Sequence, residues 1–389
     1  MPQGARSRQS HLKDCRKPSK PQFVGERVGL GELLLDTFSG EWGTEEGESL
    51  TPVLRTSNFN EDGSLDYSTP AMRCIPERKV AKKRMVRGDI ILEKSGGTPK
   101  RPVGIMAFYD SDELALCSNF NQVLRFDEDR ILPRFAFHQL RWLKDKNAFD
   151  RFTRKTTRLQ NLQMKKLIEL KLRVPQIEAQ TMIADTLDKI VDNQRTLQRE
   201  IIDLNSLVKS RFIEMFGDPC DSGSSSAKSR IESFCELRIG PFGSALHKED
   251  YITGGHPLVN PSHIIGGAIR PDENLTIDDG KYESLAAYHL LPSDVVLGRR
   301  GEIGRCAVVK TDGLICGTGS MIIRPGQKVR SDYLQRVVSF PSFSHALEAN
   351  AVSVTMKNLN AKIVGSAEVF LPDLKDQDAF ITLVSQIDK

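Results

Sequence analysis

Between Ile183 and Val208 the apolar positions follow one rule. Ile183, Leu187, Ile190, Leu197, Ile201, Leu204 and Val208, with the polar Gln194 in the remaining place, advance by alternating steps of four and three residues. This is the heptad seam of a helix that buries one apolar stripe against another helix. Pro175 suits a first helical turn, where its missing N–H costs nothing, and Glu178 places negative charge near the positive end of the dipole. Gly217, Asp218 and Pro219, followed by the soft CDSGSSSAKS segment, predict an end near Phe216. About 40 residues at 1.5 Å each make a rod roughly 60 Å long. Gln194 reads either as a polar residue that fixes helix register or as one that the seam tolerates.

The entrance to this helix, VPQIEAQ (174–180), has a partner in LPDLKDQ (371–377). Upstream residues keep the spacing: Asn161-Leu162 precedes Pro175 as Asn358-Leu359 precedes Pro372, since 358 minus 161 and 372 minus 175 both give 197. Further upstream, MVRGDIILEKSGG resembles LPSDVVLGRRGEIG, but Asp89 and Asp294 are 205 apart, so a loop differs by eight residues. The chain therefore reads as a unit of about 200 residues written twice. In the second copy Phe380, Leu383 and Ile387 begin another helical stripe, and 17 residues follow Pro372 where 42 separate Pro175 from Gly217.

Both copies place strands first and helices late. TPVLRTS, GDIILEK and GIMAFY look like strands, with helical spacing in LPRFAFHQLRWLKD. HPLVNPSHIIGGAI and DVVLGRRGEIGRCAVV have turn-rich strand character, with helices around DYLQRVVSF and SFSHALEAN. The expected organisation is a disordered basic leader (1–22), a first mixed domain (23–173), a helical spacer (174–217), a linker (218–229), a second mixed domain (230–370) and the start of a second spacer helix (371–389). The fold class is α+β with an internal pseudo-repeat.

Composition sharpens this picture only in places. Of 389 residues 39% are apolar, enough for cored domains, and no apolar run is long enough to span a membrane. The seven cysteines, including Cys15, Cys74, Cys117 and Cys220, form no CxxC pair, so reduced thiols in a cytoplasmic protein are expected. Net charge is only +4, yet its distribution is uneven. From Arg73 to Arg101 ten Lys or Arg face only Glu77, Asp89 and Glu93, and from Lys144 to Arg173 ten face Asp145, Asp150 and Glu169. Basic clusters flanking corresponding parts of a repeat fit an anionic partner such as nucleic acid, although a solvated basic surface is the plainer alternative.

At this point three stretches carry a resemblance: the segment from VPQIEAQ through SRFIEMFGDP, the IGPFGSALHKEDY and LLPSDVVLGRRGEIG segments, and MKNLN with FLPDLKDQ. Together they resemble the DNA specificity subunit of a type I restriction-modification enzyme, over nearly all of the chain from about Phe23. The resemblance implies two target recognition domains separated by long antiparallel coiled-coil-like spacer helices. Each domain would read half of a bipartite sequence in double-stranded DNA. It also implies methyltransferase (modification) subunits docked on the helices and restriction (translocase/endonuclease) subunits in the complete enzyme. No cofactor is expected on this chain, with S-adenosylmethionine, ATP and Mg on the partner subunits. The short second spacer departs from the family pattern and suggests either a truncated product, a recombination cassette or helices completed by dimerisation.

Reading a major groove needs hydrogen-bonding side chains on rigidly held loops with basic residues beside them. In the first domain Asn58, Lys94, Ser95, Thr98, Lys100, Arg101, Arg158 and Asn161 are the candidates. In the second they are Ser244, Lys248, Asn260, Ser262, His263, Arg299, Arg300, Thr355, Lys357 and Asn358. Asn161 and Asn358 could equally only stabilise the turn that leads to the spacer.

No chemistry of the chain's own is expected. Asn260 to His263 (NPSH) lacks the aromatic ring that an amino-methyltransferase tetrad stacks on a flipped base. Pro271-Asp272 with Asp279 and Lys281 imitates a metal-dependent nuclease but lies in a turn-rich segment. There is no GxxxxGK[ST] for ATP, and the seven histidines show no ligand spacing. The alternative to a DNA-reading subunit is a coiled-coil scaffold whose globular ends bind protein partners.

Overall fold

The computed structural model describes residues 25–98, 101–155, 159–220, 228–241, 245–301, 304–350 and 359–387. The chain divides into two compact units, one up to Leu197 and one from Gln198.

In the first unit the strands in chain order are β1 (Glu26–Gly29), β2 (Leu34–Ser39), β3 (Leu50–Leu54), β4 (Ala71–Cys74), β5 (Ile90–Glu93), β6 (Ser95–Gly97), β7 (Met106–Phe108), β8 (Leu116–Cys117), β9 (Asn121–Phe126), β10 (Thr153–Lys155), β11 (Gln160–Leu162) and β12 (Lys171–Val174). The helices are α1 (Glu77–Lys83), α2 (Pro133–Asp145), α3 (Met164–Leu167) and the first half of α4 (Ile177–Phe216), whose residues from Gln198 on belong to the second unit. The central antiparallel sheet has the order β2-β9-β5-β7. Ile90, Ile91 and Leu92 form an unbroken apolar run because β5 is covered on both faces: Ile90 and Leu92 pack with Phe135, Ala136 and Leu140 of α2, while Ile91 packs with Leu54, Cys117 and Val123 on the other side.

The second unit repeats this plan. Its strands are β13 (Lys228–Arg230), β14 (Cys235–Ile239), β15 (His256–Val259), β16 (Ile264–Ile265), β17 (Ala268–Ile269), β18 (Thr276–Ile277), β19 (His289–Leu290), β20 (Val295–Gly298), β21 (Cys306–Val308), β22 (Leu314–Cys316), β23 (Ser320–Pro325) and β24 (Glu368–Phe370). Its helices are α5 (Asp279–Ser284), α6 (Ser331–Val338), α7 (Pro341–Asn350), α8 (Ala361–Gly365) and α9 (Leu374–Ile387). The order β14-β23-β20-β21 matches the first sheet strand for strand, and the parallel pair β15/β22 matches β3/β8. Asp89 and Asp294, which marked the repeat in the sequence, are fully enclosed and hold a bidentate arginine in each unit. Arg125 meets Asp89 at 2.8 and 2.7 Å, and Arg324 meets Asp294 at 2.8 Å twice.

The recurring Pro-x-x-x-x-Gln has a physical reason. Gln180 and Gln377, 1% and 0% exposed, each turn back to donate to the carbonyl of the proline five residues before, both at 2.9 Å. Their Oε1 atoms accept from the backbone N–H that precedes α2 or α6, that of Leu132 or Arg330, both at 2.8 Å. One amide thus ties a helix start to the body of its unit. Both helices begin two residues later than the prolines suggested, at Ile177 and Leu374. The proline carbonyl is needed as the glutamine's acceptor, and Asp373 caps α9 by accepting from the N–H of Asp376 at 3.0 Å.

The heptad seam is treated unevenly. Ile183 is half-buried against the first unit's core, with Leu187 half-buried beside it in sequence, and Val208 lies in the second unit's core with Phe212, Phe216 and Phe380 of α9. Ile190, Gln194, Leu197, Ile201 and Leu204 are exposed. The expected burial of the whole stripe against a second helix is therefore corrected to burial at its two ends. Among the described residues no helix is long and apolar enough to cross a membrane.

Candidate nucleic-acid interface

In each unit the inner strand of the main sheet runs into a sharp turn, where Gly96 (φ +108°) and Gly301 (φ +80°) take a left-handed conformation that disfavours side chains. The residue that opens the turn is clamped by its backbone on both sides. The Lys94 N–H donates to Phe120 O at 3.0 Å, and Lys94 O accepts from the Leu162 N–H at 2.8 Å. In the second unit the Arg299 N–H donates to Gly319 O at 3.0 Å, and Arg299 O accepts from the Leu359 N–H at 3.1 Å. Leu162 and Leu359 are the leucines of the recurring Asn-Leu pair, and both are buried. Their role is to pin the segment leading back toward the helix against the strand-end turn, which gathers polar residues from two distant stretches at one edge.

In the first unit this edge is the small sheet β10-β11-β6. Its register places Ser95 beside Asn161, and Asn161 opposite Arg154. The Ser95 hydroxyl donates to Asn161 Oδ1. Thr98 and Arg101 close a tight turn through mutual backbone bonds of 2.8 and 3.1 Å. Arg101 is half-exposed, with one guanidinium nitrogen 3.4 Å from Glu93. Lys94 folds back to Ser39 and to Gln122 at 3.3 Å, and burial pulls its pKa down. Ser95, Thr98, Arg101 and Asn161 are thus brought to one edge.

Asn58 is not part of it. At 1% exposure its amide accepts from the Arg55 N–H at 2.9 Å and donates to Asp66 O and Thr69 O at 3.2 Å, so the expected base contact is corrected to a loop brace. Sequence reading missed Arg154, exposed opposite Asn161, and Glu93. The first lay in a basic run that had been noticed, and only strand register singles it out.

In the second unit Arg299 is a second correction. It is 8% exposed, and its Nε donates to Leu359 O at 3.0 Å. Burial, with the charge of Arg300 beside it, pushes its pKa down. A guanidinium so enclosed braces the turn, while Arg300 is exposed. The NPSH turn packs on the end of β20, where a Cβ at Gly298 would stand 3.2 Å from Pro261. Ser262 is exposed there, Asn260 is half-buried, and His263 braces the turn, its Nδ1 donating to Leu258 O at 2.7 Å. Lys248 is exposed on a short helical turn that no described contact joins to this edge. Lys100, Arg158, Ser244, Thr355, Lys357 and Asn358 lie outside the described residues.

The nuclease-like residues are dispersed: Asp279 meets His256 at 3.0 Å and Lys281 meets Asp250 at 3.0 Å, while Asp272 caps its own turn. Among the described residues no group of three His, Cys, Asp or Glu could hold a metal ion.

Comparison with known proteins adds three findings. The family described as the type I restriction modification DNA specificity domain matches residues 51–205. A protein assigned as the MjaX type I restriction enzyme specificity subunit of Methanocaldococcus jannaschii is 26% identical over 356 residues, spanning 87% of this chain and 80% of its own. Among solved structures, the type I restriction-modification S subunit from M. genitalium superposes with a TM-score of 0.57 at 15% identity, covering 95% of this chain and 90% of its own. A structure described as the basis of complex assembly and conformational transition of the type I R-M system gives a TM-score of 0.47 at 18% identity, covering 95% and 92%.

Proposed function

We propose that this chain is a DNA specificity subunit of a type I restriction-modification system, each of whose two units reads one half of a bipartite duplex target and directs adenine methylation, or cleavage, by partner subunits. The chain itself is non-catalytic. The observation that carries the reading is the repeated clamp at Lys94/Leu162 and Arg299/Leu359, which presents a polar, basic turn at the same edge of both sheets while the surrounding frame stays constant. Contacts from such an edge would divide into phosphate contacts by Arg101, Arg154 and Arg300 and base readout by Ser95, Asn161 and Ser262. The exposed stripe Ile190, Leu197, Ile201 and Leu204 on α4 supports docking of methyltransferase subunits there. S-adenosylmethionine, ATP and Mg would then belong to the methyltransferase and restriction subunits.

The test is a strand-resolved map of adenine methylation in cells expressing this chain with the modification subunit from its own genome, against cells lacking it. A new two-part motif with a fixed unspecified gap is expected. No new methylation with all subunits present and soluble would count against the reading. Four residues inserted near Gln194, about one helical turn, should change the gap and leave both half-sites unchanged. Duplex affinity should also fall steeply with log salt as counterions are released, which a protein-binding scaffold would not show.

A further inference from the structure

Glu93 ends β5 at the candidate interface of the first unit and is 2% exposed. Oε1 lies 3.4 Å from the guanidinium of Arg101, and the enclosed Oε2 has no hydrogen-bond partner. The charged groups that face it are Arg101, from the turn after β6, and Lys144, near the end of α2. Opposite it on β9 stands the neutral Asn121. An enclosed carboxylate with one long ion pair and one orphan oxygen is poorly compensated as an anion. Burial raises its pKa against the lowering by Arg101 and Lys144.

We propose that Glu93 is a positioning residue that holds Arg101 until duplex DNA takes the arginine, and that it then binds a proton from solvent, so that DNA binding by the first unit is coupled to protonation. This rests on the DNA-reading function above. The half-exposed Arg101 can turn outward to a phosphate, and its charge is neutralised there. The carboxylate left behind is enclosed with only Lys144 near, and neutralises by accepting one proton. The second unit has no such device, because the equivalent position is Gly298, where Pro261 closes the space.

The sign follows from linkage. DNA-bound protein carries one more proton than free protein between the carboxyl's free and bound pKa values; burial raises the first, and loss of Arg101 would raise the second further. Affinity therefore rises as pH falls through that window, by up to about tenfold per pH unit. The experiment measures the affinity of the full chain for a mixed-sequence duplex at fixed salt across mildly acidic to mildly alkaline pH, with thermal unfolding as the control for folding. Glu93→Gln has no anion to strand, so it should bind up to about tenfold more tightly than wild type at the alkaline end and converge with it at the acidic end. Arg101→Ala, at an exposed turn, should lose the same pH dependence and also one phosphate contact, about 0.9 in the log–log salt slope. Equal pH slopes for wild type and both variants, with DNA bound by all, would overturn the coupling and leave the DNA-reading function standing. If none bound duplex at any pH, that function itself would fail.

Discussion

The two units share a frame residue for residue and differ at the edge the frame presents. Asp89–Arg125 answers Asp294–Arg324, Gln180 answers Gln377, and Leu162 answers Leu359, in the same strands and with nearly the same distances. At the strand-end turn the correspondence stops: Glu93-Lys94-Ser95 faces Gly298-Arg299-Arg300. In the first unit the lysine is folded inward and an arginine from a neighbouring turn is held by an acid, whereas in the second one arginine is enclosed as a brace and the next is left outside. Similar net charge at an edge can thus arise from different atoms.

The largest effect should come from the shared ion pairs. Asp89→Asn or Asp294→Asn leaves an arginine facing a neutral group in an enclosed site, and should cost about 3 kcal/mol in the unit affected. Denaturant unfolding with hydrogen exchange assigned to each unit would measure it. Similar losses would confirm that the frames are equivalent, and a loss confined to one unit would break the comparison.

Gln180→Ala and Gln377→Ala come next, at about 2 kcal/mol each, because a backbone N–H and carbonyls lose their partner in an enclosed place. Fraying at the start of α4 or α9 should appear in the exchange of its first amides.

The acid limb should then separate the units. Burial would raise the Asp62 carboxyl, but Arg195 of α4 and Ser64 outweigh it and hold it at about 2. A carboxyl lowered on folding contributes stability that is complete above its unfolded value, near 3.8, and is lost as pH falls toward 2. Discounted for solvent screening of this partly exposed pair, the loss is about 1 kcal/mol. Asp62→Asn should flatten this limb for the first unit and leave the second unchanged, as followed by unfolding at successive pH values.

The smallest expected effect on stability is at Arg300→Ala, within about 0.5 kcal/mol of wild type, with a salt slope for duplex binding lower by about 0.9. Arg299→Ala should do the reverse, destabilising the turn with less change in slope.

Much of the frame was legible in the sequence because it obeys periodicity and recurs. The heptad steps located α4 to within two residues at its start and at Phe216 at its end, and the 197-residue spacing found Leu162/Leu359 and Gln180/Gln377 before their hydrogen bonds were known. The edge was harder to read. Asn58, Lys94 and Arg299 have the chemistry of DNA contacts, but that chemistry says nothing of direction, and the fold turns all three inward. Arg154 became visible only when strand register set it opposite Asn161. The exposed middle of the seam was also illegible, since a periodic stripe states that a helix has an apolar face and not whether its own chain covers it.

The buried glutamines have a consequence for solution behaviour. A primary amide neither ionises near neutral pH nor attracts counterions, so this tie at each helix start carries no formal charge, unlike the ion pairs Arg195–Asp62 and Arg330–Asp378 farther along the same helices. Ionic strength and acidity will therefore act on the outer contacts and on those ion pairs while leaving the two amide ties intact. A protein that must let go of a polyanion when salt rises thus keeps one salt-insensitive tie at the start of each helix.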